Sequence, residues 1–168
     1  MSLRLPAPNP PTIFVDTNVW LDYFIPHRLR REDAVLLLET ARALDVPLAY
    51  ASQSILDVYY RVQDECKRWW RQSSKLTEDV ARAIKAQAWD FVNVMQAYGT
   101  AVPVDASDVY EACRLRELHN DLEDNLILAA CQRAKASFLV TNDKTLLAHA
   151  TTCAKIPRDM VRLMHTWT

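Results

Sequence analysis

Glycine is almost absent from this sequence of 168 residues, which contains only Gly99. The Rossmann dinucleotide fingerprint requires three glycines and the P-loop requires two, because the backbone there must come close to phosphate groups. A single glycine cannot supply either motif. The sequence therefore excludes both classes of nucleotide-binding site, and we expect no nucleotide cofactor.

Paired cysteines and long apolar segments are also missing. The cysteines are far apart and form no CxxC pair, which disfavours a structural zinc site; they are Cys66, Cys113, Cys131 and Cys153. We expect them to be reduced thiols of a cytoplasmic protein. No apolar run approaches the ~20 residues of a membrane span. The N-terminus lacks the apolar core of a signal peptide, so we expect no contact with a membrane.

The chain carries a net charge of −1, so no overall basicity indicates a polyanionic partner. Charges can still be segregated between the faces of the molecule. Half of the residues are hydrophobic, which is sufficient for one globular domain of this length. We expect an extended, proline-rich leader at residues 1–11 and a single domain at residues 12–168.

Short β-rich segments alternate with segments of helical periodicity along the chain. The pattern predicts strands at 12–16, 48–51, 101–104, 138–140 and 155–156. It predicts helices at 31–44, 54–71, 77–98, 105–118 and 122–135 and a last helix opened by Pro157, with Gly99 just after the end of the third helix. This order is typical of an α/β fold with a central parallel sheet flanked by helices. Residues 54–98 are expected to form a helical hairpin.

Four aspartates are predicted to meet at one edge of this sheet. Asp16 and Asp143 follow strands, whereas Asp57 and Asp124 lie in the first turns of helices that begin at the same edge. Each position has an ordinary alternative. Asp57 and Asp124 can act as helix caps, and Asp16 and Asp143 can belong to turns. The joint pattern favours a functional site, because independent caps and turns have no reason to share one edge.

Such a cluster of carboxylates has a definite chemical use. Like charges a few ångströms apart repel one another and favour protonation unless a cation offsets them. Hard oxygen ligands select Mg²⁺ or Mn²⁺ over zinc. A bound cation of this kind polarises a phosphoryl oxygen and generates a nucleophilic hydroxide from water. The pattern therefore indicates phosphodiester hydrolysis without a protein nucleophile.

Three segments resemble the motifs of PIN domains, as found in VapC-type toxins. They are residues 13–22 (IFVDTNVWLD), 121–130 (DLEDNLILAA) and 138–144 (FLVTNDK), and their order and spacing match the family across residues 12–165. The resemblance implies a PIN-domain ribonuclease whose catalytic, metal-binding acids are Asp16, Asp57, Asp124 and Asp143. Many PIN domains have glutamate at the second of these positions. Asp57 is one methylene shorter, so it would hold a metal through a water molecule or its helix would lie closer to the site.

The resemblance also implies a supporting set of residues and partners. Asn18 and Thr141 would orient the carboxylates or water, and Asp121 would be a further acid. The implied cofactor is Mg²⁺ or Mn²⁺, and the implied substrate is single-stranded RNA. A second copy of the chain and a cognate antitoxin are the implied protein partners.

A basic and aromatic segment ends the helix at 54–71. It contains Lys67, Arg68, Trp69, Trp70, Arg71 and Lys75. One interpretation is an RNA-binding surface in which Arg68 or Arg71 guides phosphate groups. The favoured interpretation is a solvated face with one packed tryptophan, namely Trp69, which extends the apolar side of its helix. With Trp89, this hairpin contains three tryptophans, and so many large aromatic side chains also predict a homodimer that buries part of the hairpin surface.

The residues and the resemblance together predict a metal-dependent endoribonuclease, with the toxin of a toxin–antitoxin pair as its biological role. Asp16 and Asp124 would be direct metal ligands, and Asp57 and Asp143 would complete the set or position water. One alternative is a phosphatase that uses Asp16 as a nucleophile, although haloacid-dehalogenase-like enzymes need an aspartate where this chain has Asn18. The other is an inactive PIN scaffold that binds RNA or protein.

Overall fold

The computed structural model describes residues 11–150 and 152–167. Within them, five parallel strands form one sheet in the order β3-β2-β1-β4-β5. The strands are β1 (Ile13–Val15), β2 (Leu48–Ala51), β3 (Gly99–Val102), β4 (Phe138–Val140) and β5 (Cys153–Lys155). The helices are α1 (Thr17–Phe24), α2 (Arg31–Ala43), α3 (Ser54–Arg71), α4 (Glu78–Tyr98), α5 (Ala106–Leu115), α6 (Leu122–Arg133), α7 (Lys144–His149) and α8 (Pro157–Met164). The predicted α/β architecture is therefore confirmed.

The sheet is packed on both faces, because alternate strand residues point in opposite directions. Ile13 and Val15 of β1 belong to one apolar cluster, which contains residues of α1, α2, α3, α4 and α8. Phe14, between them, belongs to a second cluster with residues of α6 and α7. All three residues of β1 are fully buried. The central strand thus places Asp16, the residue that follows it, at a rigid edge of the sheet.

The helical hairpin lies where the sequence predicts it. Residues 54–71 and 78–98 form α3 and α4, which pack against each other. The hydroxyl of Thr77 accepts a hydrogen bond of 3.3 Å from the Val80 backbone N–H and caps α4. Within the described residues, none of the helices is long and apolar enough to cross a membrane.

Several predicted boundaries are wrong by a few residues, and two short helices were not predicted. The third strand occupies 99–102 rather than 101–104, and the fifth occupies 153–155 rather than 155–156. The helices predicted to end at 118 and 135 end at 115 and 133. Helices α1 and α7 follow β1 and β4 almost directly, where the sequence indicated turns. Both helices are too short for a clear helical period. The leader predicted at residues 1–11 lies almost entirely outside the described residues.

Gly99 follows α4 as predicted, but its backbone does not have the left-handed conformation common at such glycines. Its φ of −159° is extended, and the residue opens β3. A Cβ atom at this position would lie 2.9 Å from the carbonyl oxygen of Leu48 on the neighbouring strand. The glycine is therefore needed for the close approach of two strands rather than for a turn.

The prediction for the two adjacent tryptophans of α3 is also wrong. Trp69 is 52% exposed, and its ring stacks on that of His27. Trp70 is the partly buried residue, and its indole N–H is enclosed. The helix presents Val58 and Val62 to the core. In its last turns the buried side of the helix passes through Trp70 rather than through Trp69, which the sequence pattern favoured.

Candidate active site

Asp16 is the most deeply buried acid of the predicted site, at 3% exposure. Its Oδ2 accepts a hydrogen bond of 2.6 Å from the hydroxyl of Thr141. Burial raises the pKa of Asp16 to about 7, and the charge of Asp124 raises it too, whereas the hydrogen bond from Thr141 lowers it. Burial therefore disfavours the charged form of this carboxyl group. A neighbouring cation would restore its ionised form.

A hydrogen-bonded frame fixes the Asp16 side of the site. The Nδ2 of Asn18 donates to Thr141 Oγ1 at 3.2 Å, and Asn18 Oδ1 accepts from the backbone N–H of Asn142 at 3.1 Å. The backbone N–H of Asp143 also donates to Thr141 Oγ1, at 2.9 Å. These contacts join the first turn of α1 to the residues after β4. They support the orienting role predicted for Asn18 and Thr141.

Behind this frame lies Asp22, which the sequence analysis did not single out. It is 6% exposed, and its Oδ2 accepts a hydrogen bond of 2.8 Å from the Asn142 side chain. Its Oδ1 accepts a bond of 3.0 Å from Arg28, whose guanidinium also donates to Glu65 on α3 at 2.7 Å. The available signal was an acid within the otherwise apolar residues 19–24 of helix α1. The network ties the frame to α3.

Asp124 lies in the first turn of α6, but its side chain does not cap that helix. Its Oδ2 is 2.7 Å from the Nε2 of His119. The cap is Asp121, whose Oδ1 accepts from the backbone N–H groups of Glu123 and Asp124 at 2.9 and 3.2 Å. Burial raises the pKa of Asp124, the hydrogen bond from His119 lowers it, and the charges of Asp121 and Asp143 raise it. The cap alternative for Asp124 is therefore wrong.

Asp57 and Glu123 form another part of the site. Asp57 lies in the first turn of α3. The N-cap position of this helix is occupied by Gln53, and the Gln53 side chain makes no capping hydrogen bond. Burial raises the pKa of Asp57, and the charge of Arg61, one turn later, lowers it. Burial also raises the pKa of Glu123, and the charges of Asp57 and Asp124 raise it further. Glu123 was not predicted from the sequence, although its place beside Asp124 in the DLED segment was a usable signal.

Asp143 has a structural role as well as a place in the site. Its Oδ1 accepts hydrogen bonds of 2.7 and 3.0 Å from the backbone N–H groups of Thr145 and Leu146, and it thereby caps α7. Its charge also raises the pKa of Asp124. The sequence offered a turn as the alternative for this residue, and the structure shows a helix cap instead; the cap does not remove Asp143 from the acidic cluster.

Electrostatic effects connect the acids at this edge of the sheet. We call them the acid rim: Asp16, Asp57, Glu123, Asp124 and Asp143. The charges of Asp124 and Glu123 act on Asp16, that of Asp143 acts on Asp124, and that of Asp57 acts on Glu123. All four aspartates selected from the sequence thus lie within electrostatic range of at least one other member.

The donors of the acid rim fit a hard divalent cation in chemistry, because they are carboxylate oxygens in a partly buried, negatively charged region. Across residues 11–150 and 152–167, however, no three His, Cys, Asp or Glu side chains converge closely enough to hold one ion. Asp124 is turned towards His119, and Asp143 towards the backbone of α7. Shared ligation therefore requires a shift of side chains within the rim, which can leave the contact between Asp124 and His119 intact.

The cations selected from the sequence lie further along α3. At ~1.5 Å rise per residue, Arg68 and Arg71 are about 16 and 21 Å from Asp57 along the helix axis. Both are exposed. The exposed Arg61 is closer, since its charge acts on both Asp57 and Glu123. It is the cation of α3 best placed to meet a phosphate group at the acid rim.

A comparison with known families bears on this geometry. The family model described as PIN domain matches residues 12–145. The chain belongs to the PIN-domain family. Nine chains of solved structures match this PIN domain, whereas no curated protein matches it significantly.

Two of the solved structures come from VapBC complexes. One is VapBC2 from Rickettsia felis, bound to a DNA fragment from its promoter, with a TM-score of 0.59 and 17% identity over 86% of this chain and 98% of that one. The other is VapBC-5 from Mycobacterium tuberculosis, of the VapBC family of toxin–antitoxin systems, with a TM-score of 0.48 and 17% identity over 88% and 98%. At this identity, the first likeness shows that the PIN domain shares the fold. Family membership indicates a nuclease, a hydrolase of phosphodiester bonds.

Proposed function

We propose that this PIN domain is a metal-dependent endoribonuclease that cleaves single-stranded RNA. The observation that carries the proposal is the buried carboxyl group of Asp16, whose pKa is about 7, beside the other acids of the rim. Concentrating acids at a buried position costs stability unless a cation offsets their charge. Strongly perturbed acids in such a cluster are typical of functional sites. Oxygen donors of this kind favour Mg²⁺ or Mn²⁺.

The residues of the acid rim would have different roles in binding the cation. Asp16 and Asp124 would hold the cation directly, and Asp57 and Asp143 would complete the set or position water. Glu123 offers a longer side chain next to Asp57, where many family members have glutamate. The bound cation would polarise a phosphoryl oxygen and make water a stronger nucleophile. The hydrogen bond from Thr141 keeps the Asp16 carboxyl group in one orientation for this purpose.

The two alternatives have less support. A phosphatase would need Asp16 to attack phosphorus, but this carboxyl group is 3% exposed and one of its oxygens is engaged by Thr141. A scaffold that only binds RNA or protein would not need a rim of acids with raised pKa values, which costs stability in the absence of a ligand.

Cleavage of a labelled single-stranded RNA tests the proposal. We expect cleavage with added Mg²⁺ or Mn²⁺, no cleavage in EDTA, and loss of activity in the Asp16→Asn variant. Asp64→Asn is a matched control, because Asp64 is an exposed acid of α3. Undiminished cleavage in EDTA or by Asp16→Asn would show that the rim is not the active site. An equal loss in Asp64→Asn would mean that the effect is not specific to the rim.

We also propose that the domain binds a cognate antitoxin in an apolar groove. The groove encloses about 780 Å³ between α4, the end of α3 and the segment after α1. Its walls include Trp69, Trp70 and Phe91. The half-exposed Trp69 offers a large apolar contact, and exposed apolar surface of this kind often marks an interaction site. Co-purification of a small protein encoded next to this chain tests the proposal, and Trp69→Asp is expected to abolish it. Co-purification undiminished by Trp69→Asp contradicts the assignment of the groove.

A homodimer is proposed for another part of the hairpin. Tyr60 and Trp89 are 60% and 56% exposed, and both rings lie near that of Tyr59, at 5.1 and 5.2 Å. A second copy that covers this surface would remove it from water. Sedimentation at about 10 μM is expected to show a dimer, because the dissociation constant of an interface of standard size lies well below that concentration. The Trp89→Glu variant is expected to be monomeric, and a monomeric parent would contradict the proposal.

A further inference from the structure

His119 is a residue of the site that neither the acidic motifs nor the roles above include. It lies in the segment between α5 and α6. Its Nε2 is 2.7 Å from Asp124 Oδ2, and its side chain is 15% exposed. When Asp124 is ionised, as a metal ligand must be, its carboxylate can only accept a hydrogen bond, so Nε2 is then the donor in this contact. The imidazole thus donates to one oxygen of Asp124 and leaves Oδ1 outside the contact.

Contacts from three directions hold His119 in place. Its backbone N–H donates to the carbonyl of Leu115 at the end of α5, at 2.9 Å. Its carbonyl accepts a bond of 2.7 Å from the side chain of Asn125, a residue of α6 that is 2% exposed. Its ring stacks on that of His149, with 5.9 Å between centroids and 11° between planes. A side chain held on its backbone and on its ring can impose an orientation on the group that it contacts.

We propose that His119 is a positioning residue of the active site, which fixes the carboxylate of Asp124 so that its free oxygen is available to a divalent cation. The inference rests on the proposed function. Asp124 lies on α6, and Asp16 lies at the end of β1. These two acids can therefore bind the same cation only if Asp124 keeps a defined orientation. Hydrogen-bond partners of ligating groups commonly supply that orientation, and their loss weakens metal binding about 10–100-fold.

Substitutions at position 119 separate this role from simple packing. In His119→Gln, the side-chain amide can place an N–H near the position of Nε2, whereas in His119→Asn the amide is too short to do so. His119→Leu fills similar space without a donor. The matched control is His27→Gln, because His27 stacks on Trp69 and is not part of the acid rim. Thermal melts in EDTA show whether each variant remains folded.

Titration calorimetry with Mn²⁺ on the full chain supplies the measurement. We expect the dissociation constant to rise about 10–100-fold in His119→Leu and His119→Asn, to recover largely in His119→Gln and to stay unchanged in His27→Gln. Equal weakening in Leu, Asn and Gln variants, or parent-like affinity in His119→Leu, overturns the positioning role. If the parent itself binds no Mn²⁺ and cleaves no RNA, the proposed function fails, and the inference fails with it. A parent that binds Mn²⁺ and cleaves RNA, with no dependence on residue 119, refutes the inference alone.

Discussion

The Asp16→Asn variant is expected to be more stable than the parent in EDTA at alkaline pH, although it changes the central residue of the proposed site. Asparagine keeps an acceptor for the hydroxyl of Thr141 and removes a charge that is almost fully buried. A pKa raised from 3.8 to about 7 corresponds to about 4 kcal/mol of destabilisation once the group is ionised. This value is an upper limit, because water and small shifts of side chains relieve part of the cost.

The sign of the pH dependence follows from the raised pKa of Asp16. The folded state holds a proton that the unfolded state has released between pH 3.8 and about 7, so the parent loses stability as pH rises through this window. The advantage of Asp16→Asn should therefore be about 4 kcal/mol at pH 8 and about 1.5 kcal/mol at pH 5.

Urea unfolding of both proteins in EDTA, from pH 5 to pH 8, measures this difference. Asp64→Asn is the control and is expected to stay within about 0.5 kcal/mol of the parent at every pH, because Asp64 is exposed. An Asp16→Asn variant that is less stable than the parent at pH 8, or a difference that does not change with pH, would refute the reasoning. In that case the Asp16 carboxyl group would be solvated or already neutralised in the folded protein.

Three further predictions concern other parts of the molecule. Asp124→Asn is expected to melt at or above the parent's temperature in EDTA and to gain much less from Mg²⁺, since a ligand stabilises the state that binds it; a lower melting temperature with an equal gain would contradict this. Arg61→Gln, in an Asp16→Asn background, should weaken RNA binding measured by fluorescence anisotropy. It should also reduce the slope of log affinity against log salt by about 0.7, which corresponds to one lost phosphate contact; an unchanged slope would argue against the contact. Gly99→Ala should cost about 1–3 kcal/mol in urea unfolding, because its Cβ would lie 2.9 Å from a carbonyl oxygen of the facing strand; a cost under about 0.5 kcal/mol would show that the strands adjust freely.

Much of the fold could be predicted because its longer helices span several turns and its strands are short apolar runs bounded by polar residues or proline. Helix α3 and strands β2 and β4 occupy the predicted residues. Helices α1 and α7, of 8 and 6 residues, span too few turns to produce a recognisable period. The conformation of Gly99 depends on the distance to a strand some 50 residues earlier, which local sequence patterns do not contain.

The site was predictable to the extent that strand ends and helix starts share one edge of a parallel sheet. The four aspartates were predicted on this basis, and the structure brings them into one electrostatic cluster. His119 could not be predicted in this way, since a single histidine in a polar loop carries no pattern. The sequence also could not distinguish which aspartates act as caps. Asp121 and Asp143 cap helices, whereas Asp124 does not.

Locating a bound cation tests the central claim most directly, namely that the acid rim is a divalent metal site. Crystals of the parent grown with Mn²⁺ would reveal the ion by its anomalous scattering. We predict a peak between Asp16 and Asp124, with at least one of Asp57, Glu123 and Asp143 in its surroundings, and no such peak in Asp16→Asn. A Mn²⁺ ion bound only away from these residues, or an equal peak in Asp16→Asn, would contradict the account.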